Sequence, residues 1–272
     1  MNVLQFASVT SLALLGAVAA PHTLLAAEAP PIGGGYTNAI AIPVNDPSVK
    51  EIAGALFKPQ GTGPFPAVVY MSGCNGLNFP PEIQQEKRVI DSMLSKGIAT
   101  LIVDPFTARG EKDGACDKLN VSGFARGGND AVAAVKVLKA MPDIDPKKIF
   151  LQGYSYGSIA SLYATDTNTP GEHDTEIAGL IAYYPYCYDN VSPSVPTLVL
   201  IGEKDDWTPA AACQAVKGKA NFDLIVYPGA THGFTVPFEK PFDVDGHHLA
   251  HDAAATNDAQ ERVDAFIAAH SK

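Results

Sequence analysis

One serine stands between two glycines in Gly153-Tyr154-Ser155-Tyr156-Gly157, directly after the apolar run 149–152 and at the head of a helical pattern. A sharp strand-to-helix turn of this kind exposes a serine hydroxyl as a nucleophile. The flanking glycines leave the turn room, and the helix N-terminus aims backbone N–H groups at developing negative charge. A glycine turn with serine as an ordinary N-cap has the same five residues, so the remaining groups must decide. Serine is a weak nucleophile at neutral pH and needs a base, which in turn needs a carboxylate to orient it. After such a turn the order along the chain is acid, then histidine. Gly202-Glu203-Lys204-Asp205-Asp206-Trp207-Thr208-Pro209 supplies the acid, with Asp205 preferred and Asp206 its rival. Pro228-Gly229-Ala230-Thr231-His232-Gly233-Phe234 supplies the base, His232. The other histidines, at 22, 173, 247, 248, 251 and 270, lack that placement. The chemistry is acyl transfer through Ser155. It requires two backbone donors for the oxyanion: Tyr156, which follows the nucleophile, and Cys74 in the loop Ser72-Gly73-Cys74-Asn75-Gly76, with Asn75 as the alternative.

These loops need a scaffold. Apolar runs at 52–58, 67–71, 98–103, 149–152, 180–184, 197–201 and 224–227 read as strands, and helical patterns cover 82–96, 130–140, the segments from 155 and from 209, and 255–270. Continuous apolar strands between amphipathic helices predict an α/β domain with a mainly parallel sheet covered on both faces. Ligands of such sheets lie beyond the carboxyl ends of the strands. The loops beginning at Ser72, Asp104, Gly153, Tyr186, Gly202 and Gly229 occupy those ends, and every candidate catalytic residue falls in one of them.

The chain carries 19 basic and 29 acidic side chains, a net charge of −10, so neither nucleic acid nor an anionic membrane surface is an expected partner. Residues 3–20 form an uncharged run of small and apolar side chains with Ala17-Val18-Ala19 as a cleavage pattern, and a second site near 27–29. We read residues 1–27 as a signal peptide, 28–272 as one catalytic domain, and the protein as exported, periplasmic or secreted. No stable membrane span is expected after signal removal. Four cysteines in an exported chain suggest two disulfides out of three possible connectivities. The stretch holding Asp243, Asp245, His247, His248, His251 and Asp252 has the composition of a metal site without its spacing, and reads as a polar loop capping the last helix; no metal is expected.

The GYSYG elbow, the GEKDDWTP and PGATHGF loops and the YMSGCNGL loop together resemble the dienelactone hydrolase family, from about residue 52 to the C-terminus. The resemblance implies the α/β-hydrolase fold, no cofactor, and hydrolysis of a small ester or lactone through an acyl-enzyme. It also places the acid on Asp205. Founding members carry cysteine in the elbow where this chain has Ser155, a departure that bears on the substrate. Asp104-Pro105-Phe106-Thr107-Ala108-Arg109-Gly110 and Gly246-His247-His248-Leu249 resemble the exported, serine-containing branch, in which Arg109 is a candidate for binding a substrate carboxylate. Asn75 and Trp207 are candidate substrate contacts, and Tyr154, Tyr156, Tyr184, Tyr186 and Phe234 are candidate cleft residues. The expected strand order pairs Cys74 with Cys116 and Cys187 with Cys213. The competing readings are a serine peptidase or acyltransferase on the same triad, and an exported binding protein without turnover. The oligomeric state is left open.

Overall fold

A computed structural model describes residues 29–271, so the expected signal peptide lies outside the described residues. One eight-stranded sheet organises the chain, in the order β1 (Ala39–Pro43), β2 (Glu51–Phe57), β4 (Ala99–Asp104), β3 (Phe65–Met71), β5 (Ile144–Tyr154), β6 (Gly179–Tyr183), β7 (Thr197–Gly202), β8 (Phe222–Tyr227). The pairings β1/β2 and β2/β4 are antiparallel, and every pairing from β4 to β8 is parallel. β4 and β7 are buried along their whole length. That burial explains why they appear in the sequence as unbroken apolar runs rather than as alternation.

Four of the helices cover the sheet: α1 (Pro80–Ser95), α2 (Val121–Lys139), α3 (Tyr156–Thr165) and α5 (Ala253–His270). The shorter α4 (Ala210–Ala215) packs beside β8. None of the described helices is long and apolar enough to cross a membrane.

Chain order and sheet order diverge at β3, which has β4 on one side and β5 on the other. Connections leaving β3 and β5 therefore part at their carboxyl ends, and the crevice this opens is where α/β sheets bind ligands. Register keeps those ends level: Met71 lies beside Gly153, Tyr154 beside Tyr183, Tyr183 beside Leu200, and Gly202 beside Tyr227.

Three elements differ from the sequence expectations. α2 starts at Val121, nine residues before the expected 130, capped by the Asn120 side chain accepting from the Gly123 amide at 3.0 Å. Gly127 and Gly128 suggest a loop because glycine weakens a helix interior. Here they bring α2 against α3, since a Cβ on Gly127 would lie 2.8 Å from the Ala160 Cβ. β1 was not expected; it is a short edge strand ending in proline. The stretch from Asp243 to Asp252, read as a polar loop, lies largely in a hairpin of β9 (Phe242–Val244) and β10 (His247–Leu249). Only Asp252 caps α5, accepting from the Ala255 amide at 2.9 Å.

Arg109, the candidate for a substrate carboxylate, is engaged by carboxylates of the protein itself. Its guanidinium forms a fork to both Asp130 oxygens at 2.8 and 2.9 Å and a further pair with Asp46 at 2.8 Å, and its side chain is only 3% exposed. It ties the loop after β4 to α2 and to the β1–β2 turn. The sequence signal, an arginine after a strand end, could not distinguish this use from carboxylate binding. Removing one partner of a buried ion pair leaves the other charge uncompensated. Asp130→Ala is therefore expected to lower the unfolding free energy by about 3–5 kcal/mol in urea titrations; a loss near zero would show the network to be dispensable.

Candidate active site

The elbow is built by backbone contact. Ser155 takes φ 50° and ψ −115°, a conformation that L-residues rarely adopt. A Cβ on Gly153 would lie 2.3 Å from the Gly157 carbonyl oxygen, and one on Gly157 would lie 2.2 Å from the Met71 carbonyl oxygen. Any side chain at either position would force the turn apart. The Ser155 amide is anchored by the Tyr183 carbonyl at 3.0 Å. Tyr156 opens α3, so its amide has no acceptor within the helix.

Ser155 Oγ lies 2.9 Å from His232 Nε2, and His232 Nδ1 lies 2.8 Å from Asp205 Oδ2. With Nδ1–H donating to the carboxylate, Nε2 is left to accept from the serine hydroxyl. Asp205 and His232 are 4% and 5% exposed, so little water competes for these bonds. Asp205 Oδ1 accepts from the amides of Thr208 at 2.7 Å and Trp207 at 3.1 Å, and Thr208 Oγ1 lies 3.0 Å from Asp205 Oδ2. The rival acid, Asp206, turns away to pair with His247 at 3.3 Å and to accept from the His248 amide.

The imidazole is packed on two sides. Tyr184, at φ 40°, sets its ring edge-on to His232 with centroids 4.9 Å apart, while its hydroxyl lies 2.9 Å from Thr235 Oγ1. The Trp207 ring lies 5.4 Å from His232 and stacks at 4.5 Å on His247 of the β9–β10 hairpin. Leu249 of the same hairpin bridges to His232 and reaches the pocket.

A pocket joins these groups. Of the residues singled out in the sequence, Cys74, Asn75, Tyr154, Ser155, Tyr184, Trp207 and His232 line it. Tyr156 and Phe234 instead pack inside the protein, and Tyr186 is 46% exposed. Disulfides join Cys74 to Cys116 and Cys187 to Cys213. The first holds the Gly73–Asn75 loop; the second ties the segment after β6 to α4.

Sequence reasoning missed Thr208 and Glu82. Thr208 had a signal: a threonine three residues after an aspartate, in a loop ending in proline, forms a turn around the carboxylate. Glu82 had none, because an acid in the first turn of a helix is ordinary. Its carboxyl lies in the pocket wall and accepts from Asn75 Nδ2 at 2.9 Å; burial pushes its pKa up to about 7. One turn further along α1, Glu86 is fully buried, accepts from the Tyr36 hydroxyl at 2.6 Å, and is pushed by burial up to about 8.

The model of the dienelactone hydrolase family matches residues 52–271. The chain belongs to the dienelactone hydrolase family. Esterase EstD of Thermotoga maritima is 29% identical over 136 residues, which are 46% of this chain and 29% of that protein's length, so the match spans under a third of that relative. The fold of family members recurs in the solved dienelactone hydrolase of Anabaena variabilis (21% identity, 84% of this chain and 95% of that one, TM-score 0.60). It recurs also in a dienelactone hydrolase-like promiscuous phosphotriesterase from metagenomic libraries (20% identity, 85% and 97%, TM-score 0.65). These two likenesses concern the fold.

The Glu86 carboxyl makes stability depend on pH. Between about pH 4.5 and about pH 8 the unfolded chain has released this proton while the native chain retains it, so native stability falls as pH rises across that window. Glu86→Gln cannot ionise. Its unfolding free energy is expected to fall less than that of the unsubstituted protein between about pH 5 and about pH 8 in urea titrations. Parallel curves would assign the proton elsewhere.

Proposed function

We propose that this protein hydrolyses small carboxylic esters or lactones through an acyl-enzyme on Ser155. The observation that carries the reading is the hydrogen-bonded chain Ser155–His232–Asp205, with links of 2.9 and 2.8 Å, on a glycine-flanked elbow that opens into a pocket. Membership in the dienelactone hydrolase family supports it.

In the first step Ser155 Oγ attacks the acyl carbon while His232 Nε2 takes its proton. Asp205 holds the imidazole in the required tautomer and stabilises the charged form. The oxyanion is bound by the amides of Tyr156 and Cys74. Collapse of the intermediate expels the alcohol, which receives the proton from His232. Water, deprotonated by the same base, then attacks the acyl-serine and releases the acid. Asn75 and Trp207 border the reacting ester, and no step calls for a cofactor or a metal.

Residues 28–272 act as one catalytic unit in this reading, and the mature chain works in an oxidising compartment, outside the cytoplasm. The two disulfides support that placement.

Hydrolysis of p-nitrophenyl acetate and butyrate by the mature chain tests the proposal. Ser155→Ala is expected to lower kcat by at least about 10³-fold; equal rates in the two proteins would remove Ser155 as nucleophile. Thr208→Val keeps the triad but strips a donor from Asp205. It is expected to reduce kcat/KM about tenfold, the order of one buried hydrogen bond to a charged group. An unchanged kcat/KM would show the backbone amides to be sufficient.

A further inference from the structure

The pocket wall has a sign. Among the described residues that line it, none is lysine or arginine, and Glu82 is its one carboxyl. Arg109, the cation that the sequence offered for a substrate carboxylate, is consumed by Asp46 and Asp130. Arg88 lies behind the pocket wall and donates to the Thr235 carbonyl oxygen.

Glu82 lines the same pocket as Ser155 and His232. Its Oε1 accepts from Asn75, while its Oε2 lies 3.4 Å from where a Cβ on Gly73 would stand. Because residue 73 has no side chain, nothing from it comes between this carboxyl and the loop that carries the Cys74 amide. We infer that the site accepts small uncharged esters and excludes carboxylate-bearing ones, and that Glu82 is the specificity-determining residue. The inference rests on the ester-hydrolase reading above.

Two effects combine. An anionic acyl group entering this pocket loses its hydration and finds no cation in the lining to replace it. It is also repelled by ionised Glu82 across a few ångströms of poorly screened space. The groups facing Glu82 do not reverse the sign: Asn75 is neutral, Glu86 is a second acid, and the Tyr70 and Tyr184 hydroxyls are pushed upward by burial and stay protonated. His232 lines the same pocket and is unchanged in every Glu82 variant, so comparing the ratio between variants isolates the contribution of residue 82. Below about pH 7 Glu82 holds its proton and donates rather than repels, which relaxes the exclusion.

Methyl succinamate and methyl hydrogen succinate form a nearly isosteric pair, one neutral and one anionic, whose hydrolysis is followed by chromatography. The unsubstituted protein is expected to prefer the amide by about tenfold or more in kcat/KM at about pH 8, and less at about pH 5.5. Glu82→Gln should reduce that preference about tenfold and abolish its pH dependence, while Glu82→Asp, which keeps the charge, should retain much of both. Thermal unfolding checks that each variant is folded, and the ratio removes any loss common to the two substrates. A ratio near one in the unsubstituted protein, or the same ratio in Glu82→Gln, would overturn the inference and leave the esterase reading standing. No turnover of either methyl ester or of p-nitrophenyl butyrate would overturn both.

Discussion

Everything at the site depends on one close approach of backbone to backbone. The turn at Ser155 exists because Gly157 is seated against the Met71 carbonyl and Gly153 against Gly157, at separations no Cβ could share. The unfavourable φ of Ser155 is held by these contacts and by the Tyr183 carbonyl. Such strain persists only where surrounding structure over-determines it, and here the determining structure is the parallel pairing of β3, β5 and β6. The same pairing brings the Cys74 loop beside the elbow, so Ser155 and the amides of Cys74 and Tyr156 are positioned by one set of ladder hydrogen bonds.

Around this turn the carboxyl groups are treated in opposite ways. Asp205 is buried but satisfied, with two amides and a hydroxyl directed at it in addition to His232. Glu82 is half-buried and Glu86 fully buried, each with few donors, and desolvation drives both pKa values upward. A single helix, α1, carries both proton-holding acids towards the sheet, and their cost is borne by a large apolar core.

The periphery immobilises loops that the sheet leaves free. Cys74–Cys116 holds the Gly73–Asn75 loop, the Arg109 network holds the loop after β4, and the β9–β10 hairpin lays His247 on Trp207 and Leu249 into the pocket. Each joins segments distant in the chain.

The sequence by itself determined the strand rhythm, the parallel sheet, the elbow and the order Ser155, Asp205, His232. These depend on local signals: apolar runs, glycine spacing and loops at strand ends. It also separated the candidate acid from its rival through the surrounding motif. Tertiary structure alone decided what long-range partners control. Gly127 sits inside α2 because α3 approaches too closely for a Cβ there, which no helix propensity encodes. Arg109 is an anchor because Asp46 and Asp130 converge on it from 63 and 21 residues away. Glu82 faces the pocket because α1 packs with that side inward, although an acid in a first helical turn looks like any other. Local pattern specifies an element and its ends, whereas the use of a charged side chain depends on which groups the fold brings within a few ångströms of it.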